Sequence, residues 1–261
     1  MTLGLLAVLP VLSLAGAVVS GLLGVGGAIV MIPLLLYGPP LLGVGQLDIR
    51  TVSAITMVQV FVAAVSGMLA HRRHRAVNAR LAFVGGVTMS AGSLAGALGS
   101  RYVSDAALLV VFAVMVTVAA GFMFMPTPQV DVLTPGQERP FSRLLTALVA
   151  LVVGVGAGLV GAGGAFLLVP LLLVVVGMPI RVTIGSSLAI TAMAAAAGVV
   201  GKFVTGQIPL LLALVVALGA LPGASLGAAL SRRMSGPALK LLLFVIILIT
   251  GVRVWWDVLF H

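Results

Sequence analysis

Apolar residues run along this chain in blocks rather than stripes. Hydrophobic stretches cover about 3–37, 51–70, 79–100, 105–125, 143–177, 182–204, 209–230 and 238–258, with polar residues gathered in the gaps. At roughly 1.5 Å of rise per residue, six of the eight are just long enough for a helix to cross a hydrocarbon core of about 30 Å. The pattern predicts an all-α polytopic membrane protein of about eight hydrophobic segments. The first and fifth are too long for one crossing, since about 35 residues would make a helix of roughly 52 Å. Each is interrupted by a glycine cluster, residues 21–28 and 158–165. Glycine costs a helix about 1 kcal/mol relative to alanine, so such a cluster predicts two shorter helices joined by an unwound hinge.

The two broken segments belong to two copies of one unit. Gly21, Gly24, Gly26, Gly27 and Pro33 recur 137 positions later as Gly158, Gly161, Gly163, Gly164 and Pro170. From Arg50 the offset is 131: Arg50, Gly67, Gly92, Gly96, Arg101 and Ser104 match Arg181, Gly198, Gly223, Gly227, Arg232 and Ser235. The expected organisation is an N-terminal membrane repeat (1–125), a polar linker (126–142) and a C-terminal membrane repeat (143–261). The apolar N-terminal stretch has no basic region ahead of it and recurs in the second copy, so it is read as retained structure rather than as a signal peptide. The positive-inside rule favours inverted repeats. If each broken segment is a re-entrant hairpin, nine basic residues face inside (Arg72, Arg73, Arg75, Arg80, Arg139, Arg143, Arg181, Arg232, Arg233) and four outside (Arg50, Arg101, Lys202, Arg253). Full crossings would make the halves parallel and divide the charges less sharply.

Composition narrows the function. Of 261 residues, 62% are hydrophobic and 7% charged, against about 25% charged in a soluble domain. No span is left over for a separate soluble domain. The net charge of +9 would suggest nucleic acid in a soluble protein. Here the basic residues sit at segment ends, so the expected partner is the lipid bilayer and no nucleic acid. Without cysteine there is no disulfide, thiolate or iron–sulfur chemistry. His71, His74 and His261 are placed in loops or at the terminus, so no metal site or cofactor is expected. No phosphate-binding glycine loop occurs, and a serine protease would lack a buried histidine base. An enzyme is not expected.

The candidate chemistry lies at the breaks. Inside a bilayer, non-helical backbone survives only where it is buried in protein or lines a cavity. Paired breaks in equivalent positions are a pointer to a transporter site. Helices that begin at mid-membrane, near Ala28 and Ala165, aim unpaired amides and a positive dipole end at the break, which suits an anion. Gly24, Gly26, Gly27, Gly161, Gly163 and Gly164 would let a ligand reach those amides, or would serve only close helix packing. Gly92, Gly96, Gly223 and Gly227 are assigned to packing. Thr51, Ser53, Thr56 and Gln59 open the next helix of the first copy; Thr183, Ser186, Ser187 and Thr191 open that of the second. Their hydroxyls either donate to an oxyanion or bond a carbonyl one turn back. Arg50 and Arg181 are read as interface anchors, and Lys202 as snorkelling to the headgroups. All five acidic residues (Asp48, Asp105, Asp131, Glu138, Asp257) fall at segment ends or in the linker, so no buried carboxylate is available as a proton relay.

The double Gly-x-x-Gly-x-Gly-Gly-x-x-x-x-x-Pro motif, with Gly-Ser-Ser-Leu at 185–188, resembles the TauE/SafE sulfite exporter family of membrane permeases. Ala28 and Ala165 stand where that family usually has a third glycine, and Ser186 where it has threonine. The resemblance implies a bacterial-type inner-membrane, multi-pass permease for small sulfur-containing anions such as sulfite, sulfoacetate or related sulfonates. It singles out Gly24, Gly26, Gly27, Gly161, Gly163, Gly164, Ser186 and Ser187. The expected activity is secondary transport by alternating access. Export is favoured because an inside-negative potential drives anions outward, at about 2.3 kcal/mol per charge per 100 mV. A channel-like anion uniporter and a non-transporting assembly factor are the competing readings.

Overall fold

The structure, a computed structural model, describes residues 3–72, 77–125 and 141–260. Residues 126–140 of the expected linker, together with Arg73, His74, Arg75 and His261, lie outside the described residues. Among the described residues every regular element is helical. The α-helices are α1 (Leu3–Leu23), α2 (Ala28–Leu41), α3 (Ile49–Arg72), α4 (Ala79–Gly99), α5 (Asp105–Phe124), α6 (Arg143–Val160), α7 (Ala165–Val174), α8 (Ile180–Val204), α9 (Leu210–Ser231) and α10 (Gly236–Phe260). A 3-10 turn follows α4 at Ser100–Tyr102. Eight of the ten are long and apolar enough to cross a membrane, while α2 and α7 are shorter apolar helices. His71, expected in a loop, falls in the last turn of α3.

Polar residues at segment ends start the helices. Asn78 and Ser142 accept from the amides of Leu81 and Leu145 and cap α4 and α6. The repeat-matched pair Ser104 and Ser235 does the same for α5 and α10, through Ala107 and Ala238. Each such cap contributes about 1 kcal/mol. Arg50 and Arg181 are also used alike. The Arg50 guanidinium donates to the Val103 carbonyl at 2.7 Å and Arg181 donates to Met234 at 3.3 Å, again 131 positions apart. Both tie the start of a long helix to the connection between the next two. Arg50 adds an ion pair to Asp105 at 2.7 Å.

Glycine contacts give the helix directions. Along α1, Gly16 meets Met31 and Gly38 of α2 meets Leu12, while Gly4 lies against Val44. The chain therefore doubles back, and α2 returns to the end from which α1 set out. Against α9, successive α1 residues meet successive α9 glycines: Pro10 and Leu14 at Gly219, Val18 and Leu22 at Gly227. The two run parallel. The same holds for α4 and α6, where Gly92 meets Leu151 and Gly96 meets Val155 and Leu159. Between α3 and α8, Gly67 lies on Leu188 and Gly198 on Met57, so these two equivalent helices run antiparallel.

Each half thus relies on the other. α1 packs mainly on α9, α4 on α6 and α8, and α3 on α8 and α9. At these seams a Cβ on Gly96 or Gly227 would overlap the Val155 or Val18 carbonyl oxygen. Backbones this close gain dispersion and weak C–H···O contacts that lipid-facing leucines cannot supply. Outside the seams, the exposed residues of α9 include Leu210, Leu214, Leu218 and Leu221, an apolar face suited to lipid.

Gly227→Leu should therefore abolish recovery of monodisperse protein in detergent. Gly121→Ala, where a Cβ meets nothing within 4 Å, should leave recovery intact and raise thermal stability by about 0.4–1 kcal/mol. Size-exclusion chromatography with a thermal melt checks both.

Candidate functional site

Both long segments leave helical geometry at their glycines. Gly24, Gly26 and Gly27 have φ of 72°, 73° and 78°, and Gly161, Gly163 and Gly164 have 74°, 61° and 69°. Three left-handed residues in four are accessible without strain only to glycine. Gly27 and Gly164 then open α2 and α7. The Gly27 carbonyl accepts from Val30 and Met31, and the Gly164 carbonyl from Leu167 and Leu168. The amides just after each glycine, at Ala28 and Ala165, have no intrahelical acceptor.

The two breaks meet at the centre of the bundle. A Cβ on Gly26 would lie 3.2 Å from Val60, 3.3 Å from Thr191 and 3.5 Å from Ala165; one on Gly163 would touch the same Val60 and Thr191. Val60 and Thr191, 131 positions apart, lie near the midpoints of α3 and α8. Each break then runs along a long helix from the other half of the chain. Gly24 sits on Ile184 of α8, and Gly161 on Ser53 of α3, residues again 131 apart. Residues 20–29 and 160–173 are almost entirely buried.

Chemically the two sides differ. On α8, Ser187 Oγ bonds the Gly24 carbonyl at 2.8 Å and the Ile184 carbonyl at 3.0 Å. Among the described residues its counterpart Thr56 has no side-chain hydrogen-bond partner, nor do Ser53 and both amide atoms of Gln59. Ser20, Ser93 and Thr191 likewise bury unpartnered hydroxyls. Ser20 lies beside Gly27, and Ser93 lies on α4 against Gly198. Leaving such a group unsatisfied costs about 1–3 kcal/mol. Three of these residues touch the breaks directly: Ser53 at Gly161, Thr191 at Gly26 and Gly163, and Ser20 at Gly27.

Of the residues singled out in the sequence, the structure gathers Gly24, Gly26, Gly27, Ala28, Gly161, Gly163, Gly164, Ala165, Ser53, Thr56, Ser187 and Thr191 around the breaks, with Gln59 on the same stretch of α3. The rest lie elsewhere. Ser186 Oγ accepts from the Asn78 amide at 3.0 Å, beside the start of α4. Thr183 bonds the Met178 carbonyl at 3.4 Å. Thr51 stands in the first turn of α3, its amide donating to Asp48. Lys202 departs from expectation: it is 0% exposed rather than snorkelling outward. It is enclosed because α4, through Ala97 and Leu94, packs on the face of α8 that carries Gly201 and Lys202, leaving Phe203 and Val204 exposed.

Sequence reading missed Ser20 and Ser93, although the repeats carry a signal for them. Of the six residues with unpartnered groups, five are polar in one copy and apolar in the other. Ser20 corresponds to Ala157, Ser53 to Ile184, Gln59 to Ile190, Ser93 to Ala224 and Thr191 to Val60. Polar atoms present in only one copy are not needed to make the shared fold.

Helices long enough to span a bilayer, enclosing broken backbone with buried polar groups around it, define a multi-pass membrane transporter. The chain matches the Sulfite exporter TauE/SafE family over residues 8–254 and belongs to it. It is 26% identical to a "Probable membrane transporter protein YunE" of Bacillus subtilis (strain 168), over 97% of this chain and 98% of that one. A "Probable membrane transporter protein" of Xylella fastidiosa (strain Temecula1 / ATCC 700964) is 28% identical over 82% of this chain and 80% of its own length. No solved structure matches the chain at a significant level.

Gly161→Ala should sharply lower thermal stability, since the added methyl meets the Ser53 carbonyl as well as a left-handed backbone. Gly26→Ala meets only side chains and should cost about 1–2 kcal/mol, mostly backbone strain. Melting curves of the two variants would show the difference.

Proposed function

We propose that the chain is a secondary permease of the inner membrane that moves small sulfur-containing anions, sulfite or related sulfonates, outward by alternating access. The observation that carries this reading is the set of buried polar side chains without partners among the described residues: Ser53, Thr56 and Gln59 on α3, Thr191 on α8 and Ser20 on α1. Hydroxyl, amide and backbone N–H groups replace an oxyanion's hydration shell without the cost of burying a cation beside it. The break at 161–164 with α3 is the better-equipped half, because Ser187 already occupies the Gly24 carbonyl on the other side.

Two inverted repeats, 1–125 and 143–261 joined by the polar linker, are part of the proposal. In support, α3 and α8 are repeat-equivalent and antiparallel, and α2 folds back along α1. The basic residues also divide by end: Arg50, Arg101 and Lys202 with Arg253 at one, Arg143, Arg181 and Arg232 at the other. The positive-inside rule puts the second end in the cytoplasm. Alternating access is then a rocking of one repeat against the other about the breaks. Export follows from the potential, which favours anion exit by about 2.3 kcal/mol per 100 mV, with no carboxylate among the buried residues of the described chain.

Proteoliposomes under an imposed potential should show saturable flux of sulfite and short sulfonates exceeding that of carboxylates of similar size. Thr56→Val and Gln59→Leu should each reduce it by about tenfold or more, as for a lost hydrogen bond to a charged group. Non-saturating flux would point to a channel. Flux of none of these anions, or flux indifferent to both substitutions, would overturn the assignment.

A further inference from the structure

Away from the breaks, one buried group has chemistry that the central site does not use. Lys202 lies in the last turn of α8, eleven residues beyond Thr191 and hence roughly 16 Å along the helix from the centre. Its ammonium donates to Ser100 Oγ at 3.3 Å and Gln207 Oε1 at 3.4 Å, both long and both neutral. Those two partners are themselves joined at 3.1 Å, and Gln207 Nε2 donates to Thr205 Oγ1 at 2.7 Å. No carboxylate pairs with the lysine among the described residues. The charged neighbour that acts on it is another cation, Arg50, whose own counter-ion is Asp105.

Burying an ammonium against neutral partners costs several kcal/mol that an opposite charge would offset. The negative end of the α8 dipole offsets a part of it, typically under about 2 kcal/mol. Among the described residues the third N–H has no acceptor. The repeat makes the arrangement one-sided, because the position equivalent to Lys202 is His71. A lysine kept only for folding would be expected in both copies of a fold that repeats its capping serines and tethering arginines.

We propose that Lys202, with Ser100 and Gln207, forms a second anion-binding subsite, separate from the breaks, that takes a small monovalent oxyanion at the end of the bundle carrying Arg50. The ammonium supplies the charge and the second Nε2 hydrogen of Gln207 orients an oxygen, while Ser100, whose hydroxyl donates to the Ala97 carbonyl at 2.7 Å, accepts from the ammonium and holds it in place. In the transport reading, on which its role but not its existence rests, this is where the anion pauses after leaving the central site.

Equilibrium binding of radiolabelled methanesulfonate to the full chain in detergent, beside a thermal melt without anion, tests this. Methanesulfonate stays ionised at every accessible pH, so the probe does not titrate. Wild type should bind at two sites. Lys202→Met should leave one, or weaken one by on the order of thirtyfold, with the anion-free melt unchanged or raised, because an uncompensated buried charge has gone. Lys202→Arg should keep both sites. Gln207→Glu should also lose one site while stabilising the anion-free protein, its introduced carboxylate taking the anion's place beside the lysine. Gln59→Leu should leave the Lys202-dependent site intact, so a variant effect confined to Gln59 would refute the subsite and spare the central reading. The reverse pattern, loss with Lys202→Met and none with Gln59→Leu, would refute the central reading instead. Wild-type binding by both Lys202→Met and Gln207→Glu, or a lowered anion-free melt in both, would overturn the proposal in favour of a purely structural lysine.

Discussion

A peptide group that leaves helical geometry inside hydrocarbon loses its hydrogen-bond partner and cannot borrow one from lipid. Everything in this fold is arranged around two such places. The stretches 24–27 and 161–164 hold left-handed glycines, and the surroundings that tolerate them are protein or a cavity within it. α3 and α8, the most deeply enclosed of the long helices, provide that surround. α9 and α4 then close on α3 and α8, and α1 and α6 pack on α9 and α4 through close glycine seams. Loosening a seam would expose broken backbone to hydrocarbon, so packing at the periphery and chemistry at the centre are one energetic problem.

In the proposed duplication, one solution to the enclosure is used twice. The equivalent contacts are made by equivalent residues: Gly21 on Ala224 and Gly158 on Ser93, Gly24 on Ile184 and Gly161 on Ser53. A symmetric scaffold has no preferred direction, however, and a transporter's substrate has to see two different faces. The departures from symmetry are polar and sit where function is proposed. Gln59 replaces an isoleucine and Thr191 a valine near the breaks, and Lys202 stands in for a histidine at one end. The shared residues build the frame and the unshared ones distinguish its two sides.

Much of this was legible in the sequence because the cause was local. Length and hydropathy give the spans, and glycine clusters give the breaks, since both effects act within a few residues. Ser53, Thr56 and Gln59 stand out in the sequence as polar residues in the apolar segment that follows the first glycine cluster. Ser186 was not separable from Ser187 in the same way. Adjacent residues point about 100° apart on a helix, and what each one faces is decided by α4 and by the first break, more than a hundred residues away. Lys202 was misplaced for a related reason. Its distance from the end of an apolar segment suits snorkelling, and only the packing of α8 against α4 closes the route to the headgroups. Ser20 and Ser93 lie within glycine-rich helix stretches, where a serine looks like one more small residue.

The pairing of α1 with α9 also bears on how the protein is made. α1 leaves the ribosome some two hundred residues before α9, the helix whose backbone it fits. At about 5–20 residues per second, the first hairpin waits roughly 10–40 s for its partner. During that time the glycines at 24–27 have neither α8 nor α9 to cover them. The N-terminal half must therefore be sheltered during synthesis, by the insertion machinery or by shallow placement at the interface, and its broken segment can take up its final depth only when the second half arrives.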